Sequence, residues 1–239
     1  MKHVRDQNWV AVGLDFLIVV VGVFIGIQVA NWNEARQIDA LGQAYLSRLT
    51  DDLSEMERYL EGTISSMRDR LSVTTVLLKS ASKVDVDEVG LTNATRAFIT
   101  RAWYTPNLTI VDTVFDDLSS TGNLGLIDEN VRQRVSSYYG GLHRMLDGLK
   151  INQDWALRND SRLTYDHDLF LWDEELDSLL GPPDDERLRQ SVNAARVDLA
   201  RLAWTYHLIQ QSSLGDYESA LEETRTLIDL IESVTPTDQ

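Results

Sequence analysis

Four histidines, His3, His143, His167 and His207, are the natural places to look for chemistry in this chain. His167 sits in Asp166-His-Asp168 with Asp173 and Glu174 close behind, a nitrogen and oxygen donor set that suits a divalent cation. A metal site inside a helical bundle asks for more: there is no Glu-x-x-His, and no His/Glu pair of di-iron type falls on facing helices. A solvated acidic loop accounts for the same residues more simply. His143 and His207 fall within long helical patterns among ordinary neighbours, and neither is a ligand candidate. Asp51-Asp52 and Asp116-Asp117 are adjacent acids, and neighbours on a helix point about 100° apart, too far to work as an acid and base. There is no G-x-S-x-G elbow, no glycine-rich phosphate loop and no H-E-x-x-H. The absence of cysteine removes disulfides, thiolate nucleophiles and cysteine metal ligands. The expectation is a protein that is not an enzyme, with no catalytic residue, no metal and no cofactor.

One carboxylate is different. Asp15 is the single ionisable residue between Val10 and Ala30, in the run WVAVGLDFLIVVVGVFIGIQVANW from Trp9 to Trp32. At ~100° per residue, Asp15, Gly22, Gly26 and Asn33 fall within about 20° of one line, with Val19 and Ala30 beside them. Gly22-Val-Phe-Ile-Gly26 is a GxxxG that Ala30 extends by one more turn. Small residues let a second helix approach closely, and in lipid that contact, rather than hydrophobicity, drives association. A carboxylate roughly 9 Å inside the Trp9 boundary is expected to find a protein partner or stay protonated. The stripe Asp15, Val19, Gly22, Gly26, Ala30 and Asn33 therefore reads as a packing surface for another transmembrane helix.

The element that carries this stripe is expected to be a membrane helix. Twenty-odd apolar residues at ~1.5 Å each span about 31 Å, the thickness of a bilayer core. Trp9 and Trp32 fall where indole rings anchor at the headgroup boundary. Ile27-Gln-Val-Ala30 fits a small-x-small cleavage site poorly, so the expectation is an uncleaved anchor. Lys2 and Arg5 precede the helix and Arg36 alone follows closely, a bias that puts residues 1–8 in the cytoplasm and residues 33–239 outside, in a periplasm.

Lys+Arg total 22 against 38 Asp+Glu, and the first 33 residues are balanced, so the outward part carries the whole net charge of −16. A domain this acidic does not bind nucleic acid through phosphate contacts, and it stands off from anionic lipid. A basic protein surface in the periplasm would suit it, although acidity that keeps a domain soluble is the plainer account.

Past the anchor, Ile38, Leu41, Tyr45, Leu49, Leu53, Met56, Leu60, Ile64, Met67 and Leu71 recur at helical spacing, which predicts one helix running on from the membrane and fading near 79–82. Lys83 to Gly90 reads as a turn, and helices are expected over 91–104 and 110–118, the second ended by the glycines of Ser119-Ser-Thr-Gly-Asn-Leu-Gly125. Asp128 should cap a helix reaching about Leu163. A short helix is expected near 169–179, then Pro182-Pro183, then one last long helix irregular only at Gly215. The fold class is all-α: a single transmembrane helix continuing into an antiparallel extracytoplasmic helical bundle.

Two stretches, FLIVVVGVFIGIQVANWNEAR at 16–36 and TVFDDLSSTGNLGLIDENVRQRVSSYY at 113–139, resemble an uncharacterised family of bacterial single-pass membrane proteins whose apolar helix closes in Asn-Trp-Asn-Glu, here Asn31 to Glu34. The resemblance implies topology and brings no activity, cofactor or catalytic residue. Together these readings lead to a non-enzymatic accessory or scaffold subunit at a bacterial inner membrane. Its partners would be membrane lipid and other transmembrane helices, within a larger complex such as a respiratory or photosynthetic one or between copies of itself. The rival is a periplasmic ligand-binding sensor acting through a partner, since so short a cytoplasmic tail has no output domain of its own.

Overall fold

The computed structural model describes residues 9–103, 107–167, 169 and 185–235. Every regular element among them is helical. Helix α1 runs unbroken from Trp9 to Ala81, 73 residues, about 110 Å at ~1.5 Å per residue. No proline interrupts it, and Lys79 in its last turn suits the negative end of the helix dipole. Among the described residues it is the one helix long and apolar enough to cross a membrane, which makes its N-terminal part a candidate membrane span or signal sequence. Every residue from Gly13 to Leu41 is exposed.

Helix α2 (Glu88–Ala97) starts on Asp87, whose carboxylate accepts from the Gly90 N–H at 3.0 Å. It passes directly into a π-helical turn, Phe98–Ala102. Helix α3 (Thr113–Thr121) stops at Gly122, whose φ of 76° is a left-handed value that a side chain rarely tolerates, and a 3₁₀ turn, Asn123–Leu126, follows. Asp128 caps α4 (Glu129–Asp166), accepting from the N–H groups of Asn130 at 2.9 Å and Val131 at 3.2 Å. Helices α5 (Asp185–Ala194) and α6 (Arg196–Val234) complete the order.

The C-terminal helix departs from expectation in one respect. The break falls at Ala195 rather than at Gly215, through which α6 passes as regular helix. A Cβ at Gly215 would meet nothing within 4 Å, so neither a close approach nor a turn requires glycine there. The starts of α2 and α3 lie three residues to either side of the predicted positions, within the usual blur of helix ends. The helix expected near 169–179, the double proline, the Thr105-Pro106 stop and the tail 1–8 lie outside the described residues.

Packing follows the stripe. Tyr45, Leu49, Leu53, Met56, Leu60, Ile64 and Met67 of α1 are buried, whereas Ile38 and Leu41, on the same stripe, are 45% and 47% exposed. Ion pairs join Arg225 to Glu57 and Glu61 and Arg68 to Glu218, and Thr75 meets His207. Numbers that rise along α1 fall along α6, so the two helices run in opposite directions. Helix α4 runs against α6 in the same sense, from Tyr138 on Thr224 at 2.7 Å to His167 beside Asp198 at 3.4 Å.

Candidate functional site

The six stripe residues all lie on the exposed, continuous part of α1, and a Cβ placed on Gly22 or Gly26 would meet nothing within 4 Å. No element described in this chain covers that face. Trp32 is exposed at the foot of the same segment with the Arg36 guanidinium 4.9 Å from its ring centre; of Trp9 only its place in the helix is described.

Above it, α1 carries a second line of polar groups that helical periodicity alone does not single out. Tyr45, Asp52 and Tyr59 are spaced by seven, two helical turns, and so share a face. Each holds the segment 107–127. The Tyr59 hydroxyl donates to the Asn107 carbonyl and accepts from the Thr109 N–H at 3.1 Å. Asp52 accepts from the Val114 N–H at 2.9 Å, supplying from another helix the cap that Asp112 does not make with its own side chain. The Asn123 amide donates to the Tyr45 hydroxyl at 3.0 Å, and Arg48 reaches Asp117 at 3.4 Å between them. The segment is thus a strap laid along α1 from residue 59 down towards residue 42, and Phe115 stacked on Tyr139 at 4.6 Å ties it to α4. Its last step is the tightest: a Cβ on Gly42 would lie 2.5 Å from the Leu126 carbonyl oxygen.

That contact gives a test with two signs. Gly42→Ala is expected to lower stability by about 1–2 kcal/mol, because forcing a turn backbone aside outweighs a helix-propensity gain of about 1 kcal/mol. Gly62→Ala, where a Cβ meets nothing within 4 Å, should gain up to about 1 kcal/mol. Urea unfolding of the two variants reads both signs.

The titratable groups are tied into structure. His143 Nδ1 sits 2.8 Å from the Tyr139 carbonyl, and its Nε2 is 3.7 Å from Asp112. His207 Nδ1 lies 3.2 Å from the Thr75 hydroxyl, with its ring stacked near Trp204. Among the described residues no group of three His, Asp or Glu could hold a metal ion; Asp168, Asp173 and Glu174 fall outside them. Burial pushes the Tyr138 phenol up to about 12, only partly offset by its hydrogen bond with Thr224, and burial likewise raises Tyr139 and Tyr217. These three phenols stay neutral in the core, where Tyr138 pairs with Thr224 and Tyr139 donates to the Val111 carbonyl. The hydrogen bond to Glu57, more than any other contact, holds Arg225 further toward its charged form, and such exposed pairs set register more than stability.

Compared with known protein families, curated proteins and solved structures, the chain matches none.

Proposed function

We propose that this chain is a non-catalytic, membrane-anchored scaffold. Residues 9–32 cross the inner membrane of a bacterium with residues 1–8 in the cytoplasm, and an antiparallel helical bundle stands in the periplasm. The stripe Asp15, Val19, Gly22, Gly26, Ala30 and Asn33 seats against other transmembrane helices, and the acidic bundle braces the outward face of the assembly so formed. The observation that carries the reading is the unbroken exposure of Gly13 to Leu41: its apolar part up to Ala30, with none of the described residues against it, needs lipid or protein to cover it. The resemblance at Asn31 to Glu34 and at 113–139 points to the same single-pass topology, and the bias of Lys2 and Arg5 sets its direction.

The chain has no cysteine, so one introduced thiol reports its side without ambiguity. Val84 is 95% exposed at the far turn of the bundle. Val84→Cys should react with a membrane-impermeant maleimide in cells whose outer membrane has been opened and whose inner membrane is intact. Labelling only after lysis of the inner membrane would put the bundle in the cytoplasm and end the proposal.

A further inference from the structure

The buried apolar side chains form two clusters, not one. The first joins α1 from Tyr45 to Met67 with α3, α4 up to Leu149 and α6 from Tyr217 to Ile231. The second joins Leu77 and Ala81 of α1 with α2, the π turn, Ala156 of α4, Leu169, α5 and α6 up to Tyr206. Between them the fully buried positions on the two long helices are polar, and Val73 and Leu214 are only partly buried. On α1 the one fully buried residue between Met67 and Leu77 is Thr74, and on α6 those between Tyr206 and Tyr217 are Gln210 and Ser213. Helix α4 buries nothing between Leu149 and Ala156. The pairs Arg68 with Glu218 and Thr75 with His207 bracket this level on both long helices, so the gaps coincide.

The seam is also weakly held. Gln210 donates to the Ala102 carbonyl of the π turn at 3.0 Å, while its own Oε1 and the Ser213 hydroxyl make no hydrogen bond. Buried polar groups of this kind add little cohesion. Gly148 on α4 and Gly215 on α6 lie near the same level, and a Cβ at either would meet nothing within 4 Å. Glycine there loosens two helices without any packing reason.

We propose that the bundle is a two-part device: the distal part, residues 77–102 and 185–206 with the end of α4 from Ala156 to His167, opens and recloses as a cooperative unit about the Thr74/Gln210/Ser213 seam while the membrane-proximal part stays folded. Each half has its own apolar core, and among the described residues no fully buried apolar side chain on α1 or α6 links the two.

Hydrogen exchange by mass spectrometry on the full chain in detergent micelles tests this. Amides of 88–97 and 188–206 should share one opening rate, at least about tenfold faster than those of 49–64 and 131–149. Leu199→Ala, a fully buried change in the distal core, should speed distal exchange by about 30-fold or more and leave proximal exchange within about twofold. A single protection level across both halves of the wild-type chain overturns the proposal, and so does a Leu199→Ala effect that reaches both halves equally.

Discussion

A chain carrying Gly22→Ile together with Gly26→Ile is expected to insert as the wild type does and to lose its transmembrane partners, with association weakened about tenfold or more, a change of about 1.4 kcal/mol. Isoleucine is as welcome in a bilayer core as any residue, so insertion is preserved. What changes is the closest approach of a second helix: two branched side chains one turn apart on the stripe hold it away from the backbone and remove the contact that favours association in lipid. The bundle should be indifferent, since neither glycine has a neighbour within 4 Å of where a Cβ would stand. Co-purification from native membranes in mild detergent, with thermal unfolding of the bundle as control, decides the matter. A double variant that still brings down every native partner would show that α1 anchors without docking.

The second large effect lies in the core of the proximal half. Leu53→Ala is expected to cost about 2–5 kcal/mol, against about 5–15 kcal/mol for the whole fold of an ordinary domain. Leu53 is completely buried in the first apolar cluster, so the cavity opens inside that core. Leu41→Ala, on the same periodic stripe but 47% exposed, should cost under about 0.5 kcal/mol. Urea midpoints of the two variants measure the contrast, and equal losses would mean that α1 is packed below Gly42 by something this fold does not describe.

That contrast marks what periodicity can convey. Spacing of three and four located the packing face of α1 and its end near residue 81, because a helix repeats its face wherever it goes. It could not say where along that face a partner begins: Ile38 and Leu41 obey the repeat and stay exposed because no other described element reaches so low. Asp128 and Gly122 were legible because capping and left-handed geometry are local demands met by particular residue types. The strap was not. Tyr45 and Tyr59 look like core residues in an apolar count, and Asp52 looks like surface, yet Tyr59 and Asp52 spend their polar atoms on backbone, and Tyr45 on the Asn123 amide, more than 45 positions away. The division of the core was equally hidden, since Thr74, Gln210 and Ser213 pass in sequence for ordinary helix-surface residues. As for the stripe, the structure leaves Asp15 to Asn33 on one uncovered helix, and what seats there belongs to the proposal.

The continuity of α1 has a mechanical reach. With no joint between Trp32 and Ala81, the helix is a lever whose far end stands about 73 Å from Trp32, the boundary of the proposed membrane span. A change of only about 10° in the angle at which it leans through the bilayer, well within the range such spans adopt, sweeps that end sideways by about 13 Å. Whatever grips the glycine face thereby steers the acidic head, and whatever pulls on the head twists the grip.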